Sequence, residues 1–318
     1  METKFHTNLT VASSPHQVSN EDTRRIMQLV LMALVPSLLV STYVFGVRVL
    51  ILTAVCVIAA VGFEYLFNMM MKRTQTVGDC SAVLTGVLIA FNVPSSLPYW
   101  MAVVGSFVAI VIVKGLFGGL GKNLFNPAIV ARIVLFISFA TQMTTWPVPR
   151  GVDGTTGPTP LGVLKEGSGA ELPSNMDMFF GFIGGSMGEV SAAALLVGGI
   201  FLIWKKVISP ITPIAFIATV AVIAIAAGQD PIFHICAGGV MIGAFFMATD
   251  YVTTPVLPKG KLIFGIGCGL MTMLIRLFGS YPEGVSFAIL LMNVLTPHID
   301  NFCQNSMYKV KGGAKNEK

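Results

Sequence analysis

Gly86-Val-Leu-Ile-Ala-Phe-Asn92-Val-Pro94-Ser-Ser-Leu-Pro98 is a glycine-led apolar run that stops at an asparagine and passes into a proline-rich loop. The apolar stretch around it, residues 80–93, is short of the roughly 20 residues a helix needs to cross a bilayer. It therefore reads as a half-helix, or a tilted and broken one. The same layout returns at Gly243-Ala-Phe-Phe-Met-Ala-Thr-Asp250-Tyr-Val-Thr-Thr-Pro255-Val-Leu-Pro258. Later in each half comes Asn126-Pro127 or Asn293-Val-Leu-Thr296-Pro297. Polar punctuation that repeats along with the hydrophobicity points to two related halves.

The rest of the chain supports a membrane reading. Of its 318 residues 54% are hydrophobic and only 11% charged, with mean hydropathy +0.78. Soluble domains carry about 25% charged residues. Full-length apolar spans are expected at 26–45, 49–70, 99–117, 124–142, 187–204, 209–228, 232–249, 261–279 and 284–300. With 80–93 they make ten, five to each half, and an odd number per half requires inverted topology. The expected fold is thus an all-α integral membrane protein of about ten transmembrane helices, in two inverted five-helix repeats with broken half-helices. The 33 glycines suit helices that pack closely or break within a membrane. The polar first 25 residues, followed by an apolar run that leads straight into further spans, do not suggest a cleavable signal peptide.

The cations set the orientation. Arg24, Arg25, Lys72, Arg73, Lys122, Lys205, Lys206, Lys259, Lys261 and the lysines from Lys309 to Lys318 fall on one side of this scheme. Arg48, Arg150, Lys165 and Arg276 fall on the other. Such asymmetry places both termini in the cytoplasm, and it explains the net charge of +5 without nucleic acid. The resulting division is a tail at 1–25, a first repeat at 26–142, an extracytoplasmic loop at 143–186, a second repeat at 187–304 and a basic tail at 305–318.

That loop contains Asp153-Gly154-Thr155-Thr156-Gly157-Pro158-Thr159-Pro160-Leu161. Its glycine, proline and threonine content predicts a non-helical segment over 150–175 running across the surface. Gly154 and Gly157 allow close backbone approach, and the prolines fix φ on either side of Thr159. The plain alternative is an ordinary turn-rich loop.

The loop resembles the D-G-x-[ST]-G-A-T-x-[LM] signature at which a flavin transferase esterifies FMN, through its phosphate, onto the last threonine. The resemblance implies covalent FMN on Thr159, with Asp153, Gly154, Thr156 and Gly157 as the surrounding motif. With Ser14-Pro15-His16, Gly121-Lys-Asn123-Leu-Phe-Asn126-Pro127-Ala128 and Met247-Ala-Thr-Asp250-Tyr-Val-Thr-Thr-Pro255, the chain is similar over nearly its whole length to the D subunits of Rnf ion-translocating ferredoxin:NAD+ oxidoreductase complexes. More distantly it is similar to the B subunits of Na+-translocating NADH:quinone reductases. Pro158 stands where these families usually have alanine, and Thr156 where serine is common. The resemblance further implies a urea-transporter-like scaffold, a second noncovalent flavin of the riboflavin type, and electron transfer across the membrane coupled to Na+ or H+ movement. It implies partner subunits, membrane and peripheral, that deliver and remove electrons between ferredoxin and NAD, and a bacterial or archaeal cytoplasmic membrane as location.

Polar residues within spans are costly and default to functional candidates. Glu64 is expected either on an ion path or in a structural pair with Arg132 or Lys114. Asp250, beside Thr249 and Thr253, suits Na+ ligation, hydrogen bonds to a flavin ring, or a helix cap. Asn92, Asn126 and Asn293 suit loop capping or isoalloxazine contacts. Arg132 suits a flavin phosphate, an acidic partner or a buried ion pair. The five cysteines show no paired spacing and His6, His16, His234 and His298 no ligand spacing, so no metal site is expected. The competing function is a non-redox channel or transporter for a small polar solute on the same scaffold.

Overall fold

The computed structural model describes residues 22–149, 156–166, 173–279 and 283–308, and apart from one two-residue pairing it is built of helices and turns. Ser14-Pro15-His16, Arg150, Asp153, Gly154 and the lysine-rich tail lie outside the described residues. Asp22 caps α1 (Thr23–Phe45) by accepting from the Thr23 N–H. Gly46, at φ 82°, turns the chain into α2 (Arg48–Met70). A 3₁₀ turn at Val77–Asp79 precedes α3 (Ser81–Phe91). α4 (Tyr99–Phe107) continues as a π-helical stretch over Val108–Gly115. α5 (Pro127–Ser138) starts from an Asn126 cap with proline at its first position, and α6 (Ala140–Met143) follows.

Between the two halves, β1 (Trp146–Pro147) pairs antiparallel with β2 (Thr156–Gly157), Trp146 opposite Gly157. α7 (Pro160–Glu166) and α8 (Asn175–Phe180) come next. The second half holds α9 (Ala192–Trp204), α10 (Ile211–Ala226), α11 (Pro231–Cys236) and α12 (Val240–Ile242), the last running on as a π-helical turn over Gly243–Met247. α13 (Pro258–Phe278) and α14 (Val285–Tyr308) close the chain.

α1, α2 and α13 are long and apolar enough to cross a membrane, and α3, α4 with its π extension, α5, α9 and α10 are shorter apolar helices. Their outer faces carry Leu39, Ile58, Met70, Val197, Ile214 and Phe278 in the open, each more than half exposed. So many bare apolar side chains on these helices fit a lipid solvent. The structure is that of an all-α membrane protein.

Helices approach where glycine lets them. α2 packs on α3 and α4, α10 packs on α13, and α1 packs on α9. A Cβ added at Gly86 would stand 2.7 Å from the Val57 Cα of α2, a backbone atom that cannot turn aside. At Gly62, also in α2, nothing among the described residues lies within 4 Å. Gly86→Ala is expected to destabilise by about 1–3 kcal/mol, whereas Gly62→Ala should be neutral or stabilise by about 0.5–1 kcal/mol. Thermal unfolding in detergent checks the pair: Tm falls for the first and holds or rises for the second.

The structure corrects several expected boundaries. Residues 187–191, expected as the start of a span, are not helical, and α9 begins at Ala192. The expected span 232–249 is broken at Ala237–Gly239, where two consecutive glycines take φ of 66° and 72°. Asn293 and Pro297 lie inside α14 rather than at a helix start, so they do not mirror the Asn126-Pro127 cap. The 150–175 segment is not wholly irregular either. Pro160 supplies a ready first helical φ, and the apolar Leu161 and Val163 are buried, so α7 forms there and packs inward.

Candidate functional site

Thr159 heads α7. Its Oγ1 accepts from the Gly162 N–H at 3.1 Å, and the residue is only 6% exposed. The segment expected to run across the surface therefore holds Thr159 as a buried capping threonine. Thr156 is exposed and Gly157 half-buried, both held by the pairing with β1. A phosphoester on Thr159 keeps the oxygen that makes the cap, so the linkage chemistry fits. The burial does not accommodate a phosphate unless the β2–α7 corner turns outward.

α7 rests on the break between α11 and α12. A Cβ at Gly238 would collide with Leu161 Cδ1. The break itself is held by Arg276 of α13, whose Nη1 donates to the His234 carbonyl at 2.7 Å and whose Nη2 donates to the carbonyls of Ala237 at 2.8 Å and Gly238 at 3.1 Å. One buried guanidinium thus occupies carbonyls that the interrupted helix cannot satisfy. Outside the membrane spans, Asp230 caps α11, and the Asn175 amide that donates to it at 2.6 Å holds its carboxyl below the usual range.

The first break is closed from the other half. The Gly188 N–H donates to the Phe91 carbonyl at 2.8 Å and the Met187 N–H to the Val93 carbonyl at 3.2 Å. Asn92 turns its amide back to the Leu88 carbonyl at 2.6 Å and accepts from Arg132 Nη1 at 2.9 Å. Arg132 also donates to Glu189 Oε1 from both terminal nitrogens, at 3.2 Å each, and pairs with Glu283. The arginine therefore has acidic partners from the second half, and its guanidinium is already committed rather than waiting for a phosphate. Sequence reasoning misses Glu189 and Glu283. Glu189 falls within an expected span, the same signal that singles out Glu64, while Glu283 hides in a short connection.

Asn126, Thr249 and Asp250 meet in a central cavity that Ser81, Thr85 and Lys114 also line. Asn126 caps α5 through the Ala128 N–H at 3.0 Å and donates to the Met247 carbonyl at 3.3 Å, tying α5 to the π turn. Asp250 accepts from the Thr253 hydroxyl at 3.1 Å, and Thr253 is buried beside it. The cavity holds about 80 Å³. Pockets for drug-sized ligands run to about 300–1,000 Å³, so in this conformation the isoalloxazine ring does not fit. Asn92 and Arg132 belong to the ion-pair network rather than to this cavity. Asn293 is fully buried with neither amide atom bonded among the described residues.

Glu64, in α2, pairs with Lys114 at 2.9 Å, not with Arg132. Among the described residues no group of three His, Cys, Asp or Glu gathers as a metal site.

The family model for the NQR2, RnfD, RnfE family matches residues 10–309. The chain is 51% identical, over 97% of its own length and 98% of the relative's, to the D subunit of the Na+-translocating ferredoxin:NAD+ oxidoreductase complex of Acetobacterium woodii. It is 44% identical, over 93% and 94%, to the D subunit of the proton-translocating ferredoxin:NAD+ oxidoreductase complex of Clostridium ljungdahlii. To the D subunit of the ion-translocating oxidoreductase complex of Yersinia pseudotuberculosis it is 36% identical over 96% and 99%.

Proposed function

The chain belongs to the NQR2, RnfD, RnfE family, and on that premise we propose that it is the membrane flavoprotein subunit of an ion-translocating electron-transport complex working between ferredoxin and NAD+. FMN is carried on Thr159 by a phosphoester, placed there by a flavin transferase. One observation carries the proposal: the Thr159 corner is docked, through Leu161, on the glycine break that Arg276 holds in the second half. A redox group at that corner would sit against irregular backbone of the bundle, where charge and conformation are most easily coupled.

When bound, FMN supplies reversible electron transfer, while the chain supplies attachment, position and charge. Thr159 would bear the ester. The β1–β2 pairing would steady Thr156 and Gly157, and Asp153 and Gly154 complete the motif. The proposal includes a second, noncovalent flavin, for which Asn126, Thr249 and Asp250 offer polar contacts only if the cavity around them widens. Na+ or H+ is the coupled ion, with Glu64 on its path and Asp250 as a further candidate. With α14 and the broken α11–α12 stretch, the three long and five shorter apolar helices make up ten spans in two inverted repeats. Both termini face the cytoplasm and Thr159 the opposite side of a bacterial or archaeal cytoplasmic membrane. Partner subunits bring and remove the electrons.

The test is chemical. After co-expression with its flavin transferase, the denatured parent chain is expected to fluoresce in a gel and to show the added mass of FMN on the peptide containing Thr159. Thr159→Ala should insert normally and lose both signals. Covalent flavin retained in that variant would move the attachment elsewhere, and a colourless parent would leave a solute channel or transporter as the better reading.

A further inference from the structure

Where α9 passes into α10, a second cavity of about 170 Å³ lies between that connection, the Thr249–Tyr251 turn and the start of α13. Ser209 and Thr212 line it from the head of α10, and Lys261 lines it from α13. Its volume falls short of the roughly 300–1,000 Å³ of a site for a drug-sized molecule. At about 30 Å³ per water it has room for a few waters, or for one phosphate group in their place.

Three kinds of donor are unspent there. α10 starts at Pro210 without a side-chain cap, and the N–H groups of Ile211 and Thr212 find no acceptor among the described residues. Thr212 is 1% exposed and lines the cavity, yet its hydroxyl makes no hydrogen bond among the described residues. Lys261 is half-buried, with no carboxylate in ion-pair distance among the described residues. The acids nearby are already engaged: Asp250 accepts from the Thr253 hydroxyl at 3.1 Å, and Asp300 accepts from the Val256 N–H at 3.2 Å. A helix start carries partial positive charge, and the lysine adds a full one. Buried donors without acceptors are costly. An anion with several oxygens would satisfy all of them together.

The surroundings belong to a membrane surface. Trp204 ends α9 at 72% exposed, with the Lys205 ammonium 4.7 Å from its ring centre. Aromatic and cationic side chains gather in this way where helices leave a bilayer. Lys206 and Lys259, close in sequence to the lining residues, are exposed too, as are the apolar Ile214, Val256 and Leu262. We propose that this cavity binds the headgroup phosphate of an anionic phospholipid such as phosphatidylglycerol. The phosphate accepts from Lys261, from the Thr212 hydroxyl and from the open N–H groups of α10. The headgroup's own hydroxyls are left to donate to Asp250, and the acyl chains lie against Ile214 and Leu262. The exposed lysines favour a lipid of net negative charge over a zwitterion with the same phosphate. The inference uses the membrane character of the fold and none of the flavin chemistry.

The purified complex, stripped of lipid in detergent, is titrated with phosphatidylglycerol or phosphatidylcholine and followed by native mass spectrometry. The parent should retain a phosphatidylglycerol that Lys261→Met binds about tenfold more weakly or loses, the usual effect of removing a charged hydrogen bond. Thr212→Val keeps the shape without the hydroxyl and should weaken binding about threefold. Phosphatidylcholine should not fill the site. Lys261→Met retaining phosphatidylglycerol as the parent does, or phosphatidylcholine held equally well, overturns the proposal. Displacement of the lipid by millimolar inorganic phosphate overturns it too, because the ligand would then be a soluble anion. Should Lys261→Met fail to assemble, the parent decides in nanodiscs. Amine-reactive labelling of Lys261 must fall when phosphatidylglycerol replaces phosphatidylcholine, and must fall further than at the exposed Lys259. An equal change at the two lysines would reflect surface charge alone and overturns the site.

Discussion

Arg132→Met is expected to lower the stability of the protein by about 3–5 kcal/mol, the usual cost of leaving buried charges without their partner. The guanidinium joins Asn92 of the first half to Glu189 and Glu283 of the second. Its removal leaves two carboxylates and an amide oxygen facing one another, with Glu189 and Asn92 both buried. Methionine keeps much of the stem volume, so the loss reports charge rather than a cavity. Arg132→Lys should lose less, yet not match the parent, because one ammonium cannot replace the fork that reaches three acceptors. The decisive comparison is the triple variant Arg132→Met, Glu189→Gln, Glu283→Gln. If charge is the cause, neutralising both acids should return a large share of the lost Tm in detergent. A triple variant as unstable as the single would mean that the arginine acts through packing alone.

The same network shows how much can be read in the sequence. The spans, the broken stretch at Asn92 and the intramembrane polar residues are all visible there, because each depends on local hydrophobicity and on the few residues that interrupt a helix. The partners are a different matter. Arg132 meets Glu189 and Glu283 across sequence separations of 57 and 151 residues. No local period encodes such a contact, so Arg132 has several candidate partners and only the fold chooses among them. The sequence leaves Glu64 open between Arg132 and Lys114 for the same reason, and the packing of α2 against the π extension of α4 decides for Lys114.

Thr159 makes the complementary point. A run of glycines, prolines and threonines suggests irregular chain, and in isolation it would be. Leu161 and Val163 reverse that outcome because burying both, Leu161 against Gly238 of the second half, offsets the ordering of a short helix. Composition therefore locates the loop and misjudges the exposure of its threonine. Asn293 and Pro297 mislead in another way. The Asn-Pro pair at 126–127 caps a helix because Pro127 occupies its first turn. With Pro297 well inside α14, the same residue types serve the interior of a long helix instead.

Gly238→Ala should be the most damaging of the small substitutions, at about 3–5 kcal/mol, and a matched control separates its two causes. Gly238 and Gly228 have nearly the same backbone, φ of 66° and 71°. An L side chain in that region costs about 1–2 kcal/mol at either position. Among the described residues nothing lies within 4 Å of a Cβ added at Gly228, so Gly228→Ala should show that strain and little else. At Gly238 the new methyl would stand 2.7 Å from Arg276 Nη2 and would collide with Leu161 Cδ1 as well. Leucine can rotate away. Arg276 cannot do so without releasing the carbonyls of His234, Ala237 and Gly238, and charged hydrogen bonds of that kind are worth about 1.5–3 kcal/mol. The unfolding midpoints of the two alanine variants should therefore differ by the larger part of the Gly238 effect. Equal losses would mean that backbone strain alone is at stake, and that Arg276 does not hold the break on which the Thr159 corner rests.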